Sequence, residues 1–284
     1  MVKKKQQKSR KIVNIIMVIV FVAGICIALY PYISSAIRDY NDQRIVRQYQ
    51  EKAKKENKAA ADKILAKQKR ENEKLAKEGN NPGVANYNES VESDKEKQQP
   101  QSYFDKHMLG SLTIPKIKVN LPVFDQTNDT LLNKGATLLD GTSYPTGGKN
   151  THAVISAHRG LPSADMFDDL PKLKIGDQFF LEIGKKKLAY QIESTKIIEP
   201  TDTSDLVIKP NRDLVTLMTC TPYMINSHRL IYTAKRIPYP KSAKKQIETV
   251  QDGKTWLIFL WILGAAVLVG VIVLGYKKIS QRKK

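Results

Sequence analysis

Apolar residues follow three different patterns along this chain. Two runs are almost wholly apolar: IVNIIMVIVFVAGICIALY over 12–30, with Asn14 its one amide, and WLIFLWILGAAVLVGVIVLGY over 256–276. Neither carries a charge, and each is long enough to cross a bilayer as a helix. Trp256, Trp261 and Tyr276 lie near the ends of the second run, as interfacial anchors do. The first run is long for the apolar part of a cleaved signal peptide, so an uncleaved anchor is the expectation. The second pattern is a sparse helical stripe. Residues 37–80 are rich in Ala, Lys, Glu and Gln, which are good helix formers, and Ile45, Tyr49, Ala53, Ala60, Ile64 and Leu75 recur at helical spacing. That helix is either a solvated spacer or a stripe packed on the following domain, and NNPG at 80–83 stops it. Residues 84–109 are polar and without period, which predicts a loop or linker.

The third pattern begins at 111. Short β-prone runs alternate with turns: SLTIP, KVNLPVF, THAVISA, DQFFLEI, KLAYQIESTKII, DLVTLMT and RLIYTAKRI. PKLKIGD, EIGKK and KPNRD are turn-like, and SADMFDDL (163–170) reads as a short helix capped by Ser163. Seven or more strands with little helix predict an all-β barrel or sandwich.

Charge adds a topology to this picture. The chain has 284 residues and a formal net charge of +19. Six Lys or Arg precede the first apolar run, five follow the second, and neither tail is acidic. Setting those eleven aside leaves 36 basic against 28 acidic residues. The surplus therefore needs no nucleic-acid partner. The positive-inside rule puts both termini in the cytoplasm and 31–255 across the membrane. The expectation is a multi-pass protein of the cell membrane, with the domain between the two apolar runs extracellular.

Candidate chemistry centres on TLMTCTPYMINSHRL, residues 216–230. Cys26 lies inside the first apolar run, so Cys220 is the lone thiol of the outer region and a candidate reactive one. His158 ends the THAVISA strand where the chain turns, and Arg229 opens the strand after the Cys220 loop. If these strands are neighbours, Cys220, His158 and Arg229 meet at one rim. The alternative is three unrelated polar residues. A thiolate there could attack a peptide carbonyl, imidazolium could protonate the leaving amine, and the arginine fork could hold an oxyanion. His152 and His158 share a strand face, but no further thiol or carboxylate stands at metal-ligand spacing. No metal and no cofactor is expected.

The segment TLMTCTPYMINSHRL resembles the active-site segment of sortases, in the TLxTCTPYxxNxHRL form of class C, the pilin-polymerising branch. DGTSYPTGGKNTHAVISAHRGLPSADMFDDLPKLKIGDQFF (140–180) and GSLTIPKIKVNLPVF (110–124) extend the resemblance over most of 110–240. It implies an eight-stranded sortase-type β-barrel, with a helical N-terminal extension and two transmembrane helices in this chain. The eighth strand would come from splitting KLAYQIESTKII. The domain order would be a basic tail (1–11), a transmembrane helix (12–30), the extension and linker (31–109), the barrel (110–240), a juxtamembrane linker (241–255), a second transmembrane helix (256–276) and a basic tail (277–284).

The family's catalytic residues match Cys220, His158 and Arg229. The implied reaction is that of a membrane cysteine transpeptidase of Gram-positive bacteria. It cleaves an LPxTG-like motif of a pilin precursor between Thr and Gly and passes the thioacyl group to a lysine of another pilin. The alternative within the family is a sortase that anchors proteins to a cell-wall precursor amine. An inactive pilin-binding module is a third reading, disfavoured because all three positions are filled. His228 is expected to shape its loop, Thr219 to orient substrate and Asn226 to brace the loop. Many class C relatives have an Asp-Pro-aromatic lid before the barrel. Here ESVESDKEKQQPQS (89–102) offers Asp94 followed by Lys95 and Glu96, which implies a degenerate or missing lid. Leu138 stands where many relatives have histidine.

Overall fold

β-branched and aromatic residues alternating with smaller or polar ones specify the strands of this chain. The computed structural model describes residues 43–52, 58–83, 99–161 and 165–252, with isolated positions between 16 and 37 and Gly264. It divides into two compact units, Met1–Arg38 with Leu257–Lys284, and Asp39–Trp256. In the first unit the described positions between 16 and 37 are helical.

The second unit holds eight strands: β1 (Met108–Ile114), β2 (Val119–Phe124), β3 (Ala136–Leu138), β4 (Thr151–Ser156), β5 (Gln178–Ile183), β6 (Lys186–Ile198), β7 (Asp213–Thr221) and β8 (His228–Ile237). They close into a barrel in the order β1-β2-β3-β4-β7-β8-β6-β5, with β1 bonded to β5. The β2–β3 and β4–β7 pairs are parallel and the others antiparallel. The expected barrel is therefore present, but its eighth strand is not a split KLAYQIESTKII. That run is one strand, β6, bent by an irregularity between Ile192 and Ser194. The missing strand is β3, whose three residues are too few to show an alternation.

Alternate residues of each strand point inward. Leu112, Ile114, Leu121, Val123, Phe179, Leu181, Tyr190, Ile192, Val215, Leu217 and Tyr232 fill the barrel. Burying each such side chain stabilises the fold by about 1.5–3 kcal/mol. The opposite face of β4, β7 and β8 is covered as well, by a smaller cluster of Val154, Ile198, Leu206 and Ile231, joined by Leu139 and Met218.

The N-terminal extension packs on the barrel. In α1 (Lys58–Glu78) the less exposed positions are Ala61, Leu65, Gln68, Asn72, Leu75 and Ala76, while Ile64, expected in the stripe, is 53% exposed. The helix is seated by a polar anchor as much as by apolar surface. Asn72, 3% exposed, donates to Tyr144 O (2.9 Å) and Thr146 Oγ1 (3.1 Å) and accepts from Tyr144 N (2.7 Å). Upstream, Val46 is fully buried, Gln43 bonds Asn120, and the Tyr49 hydroxyl donates to Leu109 O and accepts from Gly184 N. After α1 the chain turns at Gly79, whose φ of +82° suits glycine.

Three local expectations change. The segment read as linker contains α2 (Gln101–His107), which sets Phe104 against Phe124 and Leu131. Residues 84–98, with Asp94 and most of the segment compared with a lid, lie outside the described residues. The segment 241–255, expected as a linker, contains α4 (Ala243–Asp252), whose Ala243 and Ile247 pack on Phe180 and Ala189; a four-residue α3 (Asp129–Leu132) precedes β3. In place of the helix over 163–170 there are turns at 166–169 and a 3-10 turn at Leu170–Lys172, and Ser163 is outside the described residues.

The two expected transmembrane helices, and with them the multi-pass membrane localisation, require correction. Among the described residues no helix is long and apolar enough to cross a membrane. A span needs about 20 consecutive apolar residues. The 21-residue α1 is long enough but dominated by Lys, Glu and Ala, and α4 has 10 residues. Most of 12–30, and all of 256–276 except Gly264, lie outside the described residues.

Candidate active site

The three expected residues come together on the outer face of the barrel, at one end of β4, β7 and β8. β4 and β7 run parallel, with Ser156 opposite Met218. The ladder continues past the end of β4: Ala157 N donates to Met218 O (3.2 Å), and Thr219 Oγ1 donates to Ala157 O (2.8 Å). Two residues beyond the Ser156–Met218 pair come His158 and Cys220, one on each chain. Ala157 packs in the barrel interior, so its neighbour His158 points outward. On the other side of β7, Cys220 is directly opposite Arg229 of β8. Directly opposed Cβ atoms in an antiparallel pair are about 4.5–5.5 Å apart. The parity of β7 settles which face is which: Val215 and Leu217 fill the core, and Met218 and Cys220 face out.

Each group is held by its local structure. His158 O accepts from Phe167 N (3.0 Å), which folds the β4–β5 loop back on itself. Burial lowers the His158 pKa below the ordinary histidine value, and the nearby Asp129 carboxylate opposes the shift. The imidazole is therefore biased towards its neutral form, ready to accept a proton. Cys220 is half-buried and has a free thiol. Arg229 Nη1 donates to Asn226 O (3.1 Å) and His228 O (3.2 Å), so the β7–β8 turn orients the guanidinium. Asn226 braces that turn, with φ +61° and its N–H bonded to Pro222 O (3.0 Å).

The lesser candidates separate. His228 pairs through Nε2 with Glu199 (3.0 Å) and through Nδ1 with Ser227 Oγ (2.8 Å), one residue out of phase with Arg229. Thr219, expected to orient substrate, is 2% exposed and tied to Ala157 O, so it joins strands instead. Leu138 is a β3 core residue, 4% exposed and paired with Ile155. His152 is fully buried, bonded to Val207 O and Thr216 Oγ1. Among the described residues no group of three or more His, Cys, Asp or Glu is placed to hold a metal ion.

A brace next to the site carried no signal in the sequence. Arg159, the residue after His158, donates from Nη1 to Thr221 Oγ1 (3.4 Å), the residue after Cys220. Its guanidinium lies 5.4 Å from the Tyr223 ring centroid, and Asp168 accepts from Gly160 N (2.6 Å) and the Tyr223 hydroxyl (3.4 Å). Burial pushes the Asp168 carboxyl up, opposed by the Gly160 bond. These contacts tie the histidine loop to the cysteine strand across 62 residues of chain.

A half-buried thiol level with an imidazole on one side and a guanidinium on the other, at the rim of a closed eight-stranded barrel, has the groups that cysteine acyl transfer needs. The sortase domain model matches residues 112–237. Sortase D of Bacillus subtilis is 32% identical over 114 residues, covering 40% of this chain and 54% of that protein. Sortase A of Bacillus anthracis is 28% identical over 127 residues, covering 44% and 58%. The matched region thus spans about half the length of these curated relatives. Among solved structures, Streptococcus agalactiae sortase C1 superposes with a TM-score of 0.61 at 35% identity, over 69% of this chain and 98% of that one. Streptococcus pneumoniae sortase C gives 0.60 at 36%, over 69% and 98%. The chain belongs to the sortase family of cysteine transpeptidases, in its class C branch.

Proposed function

We propose that this protein joins pilin subunits by transpeptidation, with Cys220 as nucleophile, His158 as proton carrier and Arg229 as oxyanion ligand. It takes a pilin precursor with an LPxTG-like sorting signal, cleaves between Thr and Gly, and transfers the acyl group to a lysine amine of another pilin. The observation that carries this reading is the level register of His158, Cys220 and Arg229 across three neighbouring chain segments. Two solved relatives support the substrate class: one is the sortase C1 of a pilus island, and the other is a sortase C whose structure bears on pilin substrate specificity.

Chemistry follows from the three groups. As the sulfur attacks the Thr carbonyl, the thiol proton passes to neutral His158. Arg229 stabilises the oxyanion as charge develops on it. Collapse breaks the Thr–Gly bond, and His158 returns the proton to the departing glycine amine. A thioester remains on Cys220. The acceptor amine, in its uncharged form, adds to that thioester, and its surplus proton passes to His158. Expulsion of the sulfur completes the isopeptide bond, and the proton returns to the thiolate.

The pH dependence has a defined sign. His158 must be neutral for acylation, and burial holds its pKa below the ordinary value of about 6.5. The acid limb of kcat/KM is therefore expected below pH ~6.5, with activity falling as pH drops through it. Steady-state cleavage of a sorting-motif peptide between pH 4.5 and 8 measures it. A limb centred above the ordinary histidine value would count against His158 as the resting base. Stability has the same sign: fully buried His152 and half-buried His158, both with lowered pKa, take up protons more readily when unfolded, so acid disfavours the fold.

The test of the function is incubation of the full chain with a pilin carrying an LPxTG-like signal and an acceptor lysine. A ladder on a denaturing gel, with Thr-to-lysine isopeptide bonds found by mass spectrometry, is the expected result. Cleavage without a ladder, or transfer only to small amines, would shift the reading to a cell-wall precursor amine as acceptor.

A further inference from the structure

We infer that Asn80 and His152 are positioning residues: they grip consecutive backbone groups of the β6–β7 loop from two sides and so set how that loop lies beside a peptide bound at Cys220. The inference rests on the proposed sorting-signal cleavage.

The loop, residues 199–212, starts at the site. Ile198 at the end of β6 is opposite Arg229, and Glu199 pairs with His228 at 3.0 Å. Leu206, 2% exposed, packs with Val154, Met218 and Ile231 on the outer face that carries Cys220 two residues further along β7. A peptide laid across Cys220 towards β6 therefore meets the start of this loop.

Three successive residues of the loop are held. Asn80 Nδ2 donates to Leu206 O (3.3 Å), and Asn80 Oδ1 accepts from Ile208 N (2.9 Å). The side chain thus meets the loop backbone as a neighbouring strand would. Between these two contacts, Val207 O bonds His152 Nδ1 at 2.9 Å. A carbonyl only accepts, so the proton sits on Nδ1. His152 Nε2 is then an acceptor, and Thr216 Oγ1 at 2.7 Å must donate to it. Thr216 in turn accepts from the Thr233 hydroxyl at 3.0 Å. One direction of hydrogen bonding runs from β8 through β7 and β4 into the loop. His152 is fully buried, so a reversed tautomer would leave Val207 O facing a ring nitrogen without a proton.

Asn80 belongs to the extension, which is itself pinned by Asn72 to residues 144 and 146, and by Gly83 N to Asp140 O (2.9 Å). The loop wall is thereby referenced to two bodies, the extension and the barrel. Loss of the Asn80 grip should loosen the wall without touching Cys220, His158 or Arg229.

The experiment uses the full chain and a fluorogenic peptide containing an LPxTG-like motif. Asn80→Ala is expected to raise KM about tenfold, equivalent to about 1.4 kcal/mol, with kcat within about twofold. Asn80→Asp keeps the acceptor for Ile208 N and loses the donor to Leu206 O, so its KM should fall between. Amide hydrogen exchange should quicken at 204–208 in Asn80→Ala while β4, β7 and β8 keep their protection. Nitrogen-15 shifts of the His152 ring in the wild type should report the neutral Nδ1–H tautomer. Unchanged KM or unchanged exchange in Asn80→Ala would overturn the role of Asn80. So would a fall in kcat with exchange raised throughout the barrel. An Nε2–H tautomer would overturn the role of His152. If the wild type leaves the peptide intact, it is the cleavage reading that fails, and exchange and tautomer still decide the grip.

Discussion

Cys220→Ala should abolish both thioester formation and ladder growth, and His158→Ala should lower kcat/KM by about a thousandfold or more. The two losses have different origins. Without the sulfur there is no acyl carrier, so even a neutral, well-aligned His158 has nothing to activate. Without the imidazole the thiol remains, but its proton has no acceptor and the departing amine has no donor. The variants are distinguished by a thiol-directed label, which should modify Cys220 in His158→Ala and find no thiol there in Cys220→Ala. Mass spectrometry of the protein mixed with a sorting-motif peptide reads the acyl adduct directly. Because Cys220 faces outward and is half-buried, Cys220→Ala should leave thermal unfolding within a few degrees of wild type. A persistent ladder in Cys220→Ala would remove the thiol from the reaction. Loss of activity in His158→Ala with an unlabelled Cys220 would instead point to a collapsed site.

Much of this arrangement was legible because its parts are local. Cys220 and Arg229 are nine residues apart on two strands joined by a turn, and the direct opposition follows from that hairpin. His158 was legible as a polar residue at a strand end. What sequence reading missed depends on partners distant in the chain. The partners of His152 are 55 and 64 residues away, and Asn80 grips a loop 126 to 128 residues on. No periodicity records such pairs, so nothing in the sequence marks His152 as a buried tie. Thr219, next to the nucleophile, was expected to orient substrate, but strand parity turns it inward to Ala157. Short elements were lost for another reason. β3 has three residues and α2 seven, fewer than either hydrophobic period needs to declare itself. In α1 the buried face is centred on Asn72, which a search for apolar stripes passes over.

Arg229→Ala is expected to lower kcat about 10²- to 10³-fold, the usual cost of removing an oxyanion donor, equivalent to about 3–4 kcal/mol. Arg229→Lys tests what the charge alone can do. A lysine retains the positive charge but is a point cation on a flexible stem, without the planar fork. In the structure the fork is steadied from behind, because Nη1 bonds Asn226 O and His228 O in the turn. An ammonium cannot hold both carbonyls and still present a second rigid donor towards a substrate above Cys220. Arg229→Lys should therefore lose nearly as much kcat as alanine, with KM for the sorting-motif peptide changed by less. If charge were the whole contribution, lysine would restore activity to within about tenfold of wild type. If the arginine served only to brace the turn, both variants would instead raise amide exchange at 222–228 and lower the melting temperature in proportion to the lost rate. Measuring kcat, KM and exchange on the same two variants separates the three cases. The expected pattern is a large loss in kcat for both, with the turn's protection and the rate of Cys220 labelling close to wild type, because the opposition of β7 and β8 is fixed by their backbone ladder from Leu214 to Thr221.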